Sequence, residues 1–491
     1  MTEGLTTEPA GKASLSIVAT GEPARRRQLT VAEREAKGRA ARTRVPRSSH
    51  GQWRPAPDRP DPVTLLEDQS AGWVADLVPV RYGRMLASPF AFHRGAALIM
   101  AEDLADTPRS DLKVQLCGDA HLANFGVFGT PERRMIFDIR DFDETIPGPW
   151  EWDVKRLAAS FEIMGRDRGF RAADRRAVVL AAVRAYRQRI RRAAMMRTLH
   201  AWYDELDITE VLDMIRKDQQ GGRATRIPQR RGERGAQVAQ TRDSVRVLAK
   251  RTAEVNGEPR IVAESPLIVP LEQLSEPGSG WEQSDELIDD LIGTYRQSLS
   301  SEHHPIEEFR YVHAARKVVG VGGVGTRCFI LLMLGRDRDD PLLLQLREAQ
   351  PAALERFLGS GGYQNHGQRV VAGQRLMQGT NDIFLGWLSG RGRDGEVADF
   401  YVRQFQAWKG GVDIEHLLVP GATIYAQVCG ATLAHAHARW GDRIAIGSYL
   451  GSRDNFDKAI VDFAIAYADQ NERDYQAFAA AVKSGRLVAE T

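Results

Sequence analysis

Oxygen-bearing side chains crowd the stretch from Leu116 to Ala159 at spacings that suit chemistry on phosphate. Cys117-Gly118-Asp119-Ala120-His121-Leu122-Ala123-Asn124 is followed by Phe137-Asp138-Ile139-Arg140-Asp141-Phe142-Asp143-Glu144, then by Trp152-Asp153-Val154-Lys155-Arg156-Leu157-Ala158. An Asp followed at the fifth position by an Asn lets a tight loop aim a proton acceptor and an amide oxygen at one point, and a carboxylate on the next strand completes a Mg²⁺ site. Phosphoryl transfer asks little else of a protein, because metal ions neutralise phosphate charge while a carboxylate orients the attacking hydroxyl. The residues therefore predict Asp119 as the catalytic carboxylate and Asn124 and Asp141 as Mg²⁺ ligands. Asp138 and Asp143 are further metal candidates, although strand alternation puts Asp138 on the face of Arg140, where a salt bridge is the alternative. His121 is placed either on phosphate or beside Asp119 as its orienter.

A second feature lies about two hundred residues on, where Gly320-Val321-Gly322-Gly323-Val324-Gly325 satisfies G-x-G-x-x-G. A dinucleotide loop should open a helix and a Walker loop should end in Lys-Ser or Lys-Thr, but here Thr326-Arg327 leads into the β-type run Cys328 to Leu334. A strand-turn-strand loop that brings backbone N–H groups close to a triphosphate remains, with an ordinary glycine hairpin as its alternative. Such a loop works with a basic residue on a nearby strand and a Glu on the following helix. Arg347 and Glu355 occupy those places. Arginine keeps the charge of the usual lysine but forks its donors.

These residues must be positioned by a mixed α+β chain. Strands are predicted at Leu112–Leu116 and Arg316–Val319, in the hairpin of Phe125–Phe128 with Met135–Phe137, and at Cys328–Leu334, Leu342–Leu346, Arg369–Met377 and Phe400–Phe405; helices are predicted at Trp152–Met164, Ala172–Leu199, Ala422–Arg439 and Phe456–Val482. The division that follows is a disordered basic tail over 1–60, Arg-rich from Arg25 to Arg59; a helical lobe over 61–310 with a basic surface insertion near 221–260; an antiparallel β nucleotide-binding lobe over 311–412; and C-terminal helices over 413–491 returning to the large lobe. The 491 residues, 43% apolar and 27% charged with a net charge of +2, fit a globular protein with an ample core. No apolar run approaches the roughly 18 residues of a membrane helix, and no secretory h-region follows the basic residues. A cytoplasmic location is expected, with Cys117, Cys328 and Cys429 as buried thiols. Nucleic acid is not an expected partner, since the basic segments lack interleaved aromatic residues.

The first constellation resembles the aminoglycoside phosphotransferase and choline kinase branch of the protein-kinase-like fold, whose catalytic loop reads H-G-D-x-x-x-x-N and whose metal Asp begins I-D-F-[ED]. Gly118-Asp119 and Asn124 match, with Cys117 in place of the His, as do Asp141-Phe142-Asp143 and, further on, Asp153-Val154 with Leu157-Ala158. From about Leu65 to Val482 the chain is similar to the bacterial domain of unknown function 2252 family, on the stretches Gly118–Gly126, Asp141–Glu144, Trp152–Ser160, Gly320–Arg327 and Ala466–Tyr475. The kinase-like resemblance implies a two-lobed fold with ATP and Mg²⁺ as cofactors and a hydroxyl acceptor as partner. Because the catalytic loop precedes the glycine loop, it also implies circular permutation, with Ala422–Trp440 as the helix that ordinarily precedes the catalytic loop. Alternatives are a nucleotide-binding regulator without catalysis, AMP transfer on the same fold, and a two-metal phosphoesterase, for which Asp119-Ala120-His121 reads D-x-H but Gln364-Asn365-His366-Gly367 lacks the flanking residues of the second ligand set.

Overall fold

The computed structural model describes residues 28–132, 134–206, 252–255, 257–265, 267–274, 284–299, 303–318, 324–391, 397–405 and 412–490. In chain order the helices are α1 (Val31–Arg44), α2 (Pro62–Ser70), α3 (Val78–Met85), α4 (Pro89–Gly95), α5 (Ala97–Ala105), α6 (Trp150–Asp167), α7 (Ala172–Met195), α8 (Thr198–Tyr203), α9 (Ser284–Gln297), α10 (Glu355–Leu358), α11 (His366–Met377), α12 (Val419–Trp440), α13 (Arg443–Leu450) and α14 (Asn455–Lys483). The strands are β1 (Lys113–Leu116), β2 (Phe125–Gly129), β3 (Met135–Ile139), β4 (Ile146–Pro149), β5 (Thr252–Val255), β6 (Glu258–Ile261), β7 (Ile268–Pro270), β8 (Arg310–Lys317), β9 (Cys328–Leu334), β10 (Pro341–Ala349), β11 (Gly386–Arg391) and β12 (Val397–Gln404).

The largest core lies among α6, α7, α12 and α14, where Trp150, Phe161, Val179, Ile190, Leu433 and Phe463 are buried. Helix α12 runs along α7, and the two backbones approach so closely at Gly430 that a Cβ there would collide with the carbonyl oxygen of Ala182. Against this helical body lie two short antiparallel ladders, β1 with β4 and β2 with β3, which carry the Asp-rich loops. The second body is a six-stranded antiparallel sheet in the order β11-β12-β10-β9-β8-β7, with α11 against β11 and β12. Its first strand, β7, comes from residues that the sequence division assigns to the helical part. The three cysteines are free and buried, and no helix among the described residues is long and apolar enough to cross a membrane.

Three expectations are corrected. The Arg-rich segment is ordered from its capping box at Thr30 and Glu33. Arg42 donates to the carbonyls of Tyr449 (2.7 Å) and Ser448, and Arg47 to that of Leu450, so the arginines satisfy carbonyls that α13 leaves open at its C-terminus. Gly38 makes the contact possible, since a Cβ there would strike the carbonyl of Ala445. Residues Arg369–Met377 form a helix and not a strand: Asn365 caps it by accepting from Gln368 N at 2.7 Å, and buried Arg369, Val370, Gly373 and Met377 follow helical spacing. In the region read as a basic insertion, residues 252–261 make the β5–β6 hairpin, which Ile261 N ties to His313 Nδ1 at 3.0 Å; the rest of that insertion lies outside the described residues.

Two stability predictions follow from this packing. Arg42→Ala should leave buried carbonyls without donors and cost about 1–3 kcal/mol, read as a lower Tm; an unchanged Tm would mean that α1 is not coupled to the core. Gly430→Val should overpack α7 against α12 by about 1–3 kcal/mol, read as a lower urea midpoint.

Candidate functional site

The Asp-rich loops owe their shape to one buried carboxylate. Gly118 follows β1 with φ +83°, a conformation that favours glycine, and a Cβ there would also strike the carbonyl of Glu144. Asp153, in the first turn of α6 and 1% exposed, accepts from Cys117 N at 2.7 Å and Gly118 N at 2.9 Å. Its Oδ2 also meets His437 Nε2 at 3.0 Å, and His437 Nδ1 meets the Tyr186 hydroxyl at 2.8 Å. Helix α12 is thus wired to the loop, and Tyr425 on the same helix donates to the Leu122 carbonyl at 2.7 Å.

The loop so held presents Asp119. Arg156, one turn beyond Asp153 on the same face of α6, donates to Asp119 Oδ1 from Nε at 2.8 Å and Nη2 at 2.7 Å. His121 Nδ1 accepts from Ala123 N at 3.2 Å, which leaves Nε2–H pointed at Asp119 Oδ2, 3.5 Å away. Burial lowers the His121 pKa to about 4, so the ring is neutral at pH 7. Asn124 gives its Nδ2 to the carbonyl of Asp119 at 2.8 Å, which leaves its Oδ1 as the atom for a ligand.

Beyond the β2–β3 hairpin, Asp141 and Asp143 share one guanidinium. Arg347 from β10 reaches Asp141 Oδ2 with Nη1 at 3.2 Å and Asp143 Oδ2 with Nη2, and Tyr401 from β12 donates to Asp143 Oδ1 at 2.8 Å. Burial pushes both carboxyls up; at Asp141 the Arg347 and Arg403 charges outweigh it and hold that pKa low, whereas at Asp143 burial and repulsion from Asp141 prevail and the pKa is raised. Glu144, bonded to Ala353 N at 2.6 Å, is pushed by burial up to about 7.

Asp119, His121, Asn124, Asp141, Asp143 and Glu144 line one cleft of about 250 Å³ together with Thr326 ahead of β9, Arg347 and Glu348 from β10, Trp73 in the turn after α2, Arg81 from α3 and Arg94 from α4. Gly325, φ +116°, stands beside it with Trp73 packed where a Cβ would be, and its carbonyl accepts from Val74 N at 2.9 Å. Gly320, Gly322 and Gly323 lie outside the described residues. Among the described residues no group of three or more His, Cys, Asp and Glu side chains is poised to hold a metal. The amide of Asn124 and the carboxylate of Asp141 do fit Mg²⁺, which takes one or two protein oxygens and fills its octahedron with water and phosphate.

Two expected site residues fall elsewhere. Glu355 meets Arg369 Nε at 3.3 Å and His366 Nδ1 at 3.7 Å, and does not reach Arg347, whose charge is already met by Asp141 and Asp143. Asp138 is buried away from the cleft and makes no salt bridge to Arg140; it accepts from Ile139 N at 2.8 Å and Gly379 N at 3.2 Å, a structural role. Asn365 and His366, weighed as phosphoesterase ligands, stand at the start of α11 and do not line the cleft. Sequence reasoning gave no role to Arg156, Arg81, Arg94 or Trp73. The i,i+3 spacing of Asp153 and Arg156 was the available signal for the first; the others carry no motif.

Comparison with known families matches residues 73–481 to the model described as an uncharacterized protein conserved in bacteria (DUF2252). The chain belongs to the DUF2252 family. No curated protein and no solved structure matches it. The matched span of this DUF2252 chain covers every residue of the cleft except Gln69.

The Asp138 environment yields a pH prediction. Burial, opposed by the Ile139 and Gly379 N–H groups, raises its pKa to about 7, so between about pH 4 and pH 7 the folded chain holds a proton that the unfolded chain has released. The stability this contributes is complete below the unfolded pKa and is lost as pH rises through the folded one. Asp138→Asn, which fixes the neutral form, should therefore gain Tm relative to wild type between pH 4.5 and pH 8 (about those bounds); parallel Tm–pH curves would contradict the assignment.

Proposed function

We propose that the protein transfers a phosphoryl group from Mg-ATP to a hydroxyl acceptor, on a kinase-like two-lobed fold that is circularly permuted. The observation that carries this reading is the meeting of Arg347 with Asp141 across 206 positions of sequence, in a cleft that also holds Asp119, Asn124 and Thr326 at the end of the glycine loop. The order within the sheet body, strand, glycine loop, strand, strand with a basic residue, helix, is that of a nucleotide-binding lobe. Permutation is supported by α12, which reaches the catalytic loop through Tyr425, and through His437 by way of Asp153, although it follows the sheet body in sequence.

In this reading Asp119 takes the proton of the acceptor hydroxyl, Arg156 and His121 hold it in place, and Asn124 and Asp141 hold Mg²⁺. The metal supplies charge neutralisation on the β- and γ-phosphates. Arg347 orients Asp141 and adds positive charge beside the phosphates, where a lysine ordinarily stands. A second reading, a nucleotide-binding regulator without turnover, is favoured by one observation: Arg347 is engaged by both Asp141 and Asp143 and is 4% exposed, which restrains it from following a phosphate.

Titration with Mg-ATP should stabilise the wild type by about 2.7 kcal/mol at a hundred times Kd, and Asp141→Ala should lose the Mg²⁺-dependent part. Asp119→Asn should keep that stabilisation while turnover falls by about 10²–10⁴. Nucleotide binding with no ADP formed by wild type across acceptors would favour the regulator; no shift with ATP would sink both.

A further inference from the structure

One guanidinium of the cleft is not used by the phosphotransferase reading. Asp119 is paired with Arg156, Asp141 and Asp143 with Arg347, and Glu348 with Arg327, while Glu144 is met by the Ala353 N–H. Arg94, in the last turn of α4, lines the same cleft without such a counterpart. Its Nε is buried and bonded to nothing, and among the described residues no acceptor meets its guanidinium. Asp119 and Glu415 are near enough to attract it, but both lie beyond ion-pair distance, and Asp119 is already bound by Arg156 on Oδ1. Arg81 stands on the same part of the wall, stacked 4.0 Å from the Trp73 ring and held by the Gly95 carbonyl at 2.6 Å. A guanidinium half withdrawn from water with its fork open is costly unless an anion meets it. Carboxylate and phosphate are the groups whose geometry matches that fork in two parallel hydrogen bonds.

Size narrows the ligand. The cleft, at about 250 Å³, is below the roughly 300–1,000 Å³ of sites that enclose drug-sized molecules. That favours a short acceptor over an oligosaccharide-like one. We propose that the acceptor is a small alcohol bearing a carboxylate or phosphate monoester, and that Arg94 binds this anionic group while Asp119 receives the hydroxyl; the assignment rests on the phosphotransferase reading.

The reaction balances without further reagents. The acceptor oxygen forms a bond to the γ-phosphorus, the bond from that phosphorus to the β,γ-bridging oxygen breaks, ADP leaves with the electron pair, and the hydroxyl proton passes to Asp119. An anionic acceptor approaching a triphosphate and an aspartate is repelled by both. Arg94 offsets this repulsion at the end of the acceptor remote from the reacting oxygen, so it acts on binding more than on the chemical step.

Isothermal titration of the full chain with D-glycerate, glycerol 3-phosphate and glycerol, each with and without saturating Mg-ATP, tests the assignment. At least one anionic probe should bind saturably and glycerol should not. Arg94→Ala should weaken that probe by about tenfold or more, Arg94→Lys should recover part of the loss, and both variants should keep the wild-type Mg-ATP affinity with a Tm no lower than that of the wild type. If Mg-ATP binds but neither anionic probe binds better than glycerol, the acceptor assignment is overturned and the phosphotransferase reading stands. If Arg94→Ala weakens Mg-ATP as much as the probe, Arg94 belongs to the nucleotide phosphates and the assignment is equally overturned. If the anionic probe binds through Arg94 while Mg-ATP does not bind at all, Arg94 is an anion site and the phosphotransferase reading is what fails.

Discussion

The ion cluster of Arg347 with Asp141 and Asp143 ties the six-stranded sheet to the helical body at the cleft. Arg347 belongs to β10 in the middle of the six-stranded sheet, whereas both carboxylates follow the β2–β3 hairpin on the helical side. Arg347 is buried whereas the Asp141 and Asp143 side chains keep partial contact with the cleft, so the guanidinium depends on these two carboxylates for its compensation. Tyr401 satisfies a further lone pair of Asp143, and Arg369 donates to the carbonyls of Asp143 and Thr145, so the loop between them has little freedom to move. The same arrangement holds the pKa of half-buried Asp141 low, which favours the ionised state in which a carboxylate can take a divalent cation.

Helix α6 does for the other wall what β10 does for this one. Asp153 holds the backbone of the Gly118 turn and Arg156 holds the side chain of Asp119, so one rigid helix sets both the path of the loop and the direction of its carboxylate. Tyr186 and His437 complete the chain of hydrogen bonds from α7 and α12. A site built on packed helices in this way is held more tightly than one built on loops alone, which suits chemistry that depends on positioning.

Much of this arrangement could be read before any coordinates, and what could not has physical causes. Asp119, Asn124, Asp141 and Arg347 were legible because their neighbours in sequence form short loops and strands whose geometry spacing constrains. The strands around Arg347 and the helices α12 and α14 were equally plain from period, whereas the short α13 between them was not read. Glu355 was misplaced because its partner is chosen by the direction of a helix only four residues long, α10, and not by spacing. The arginines of α1 looked like a solvated tail because the carbonyls they satisfy lie some four hundred residues away, at the end of α13. Asp138 sat in a run of acidic residues, and only the approach of Gly379 shows that it serves the fold. Arg94 has no motif at all, and its lack of a partner among the described residues is visible only once the cleft is assembled.

The most direct test of the central claim is a crystal of the protein grown with Mn²⁺ and a non-hydrolysable ATP analogue, with anomalous scattering used to locate the metal. The account predicts a Mn²⁺ peak between the Asn124 amide oxygen and the Asp141 carboxylate, touching analogue phosphates that lie between Gly325 and Asp119. Analogue bound elsewhere, or a metal held by residues outside this cleft, would contradict it.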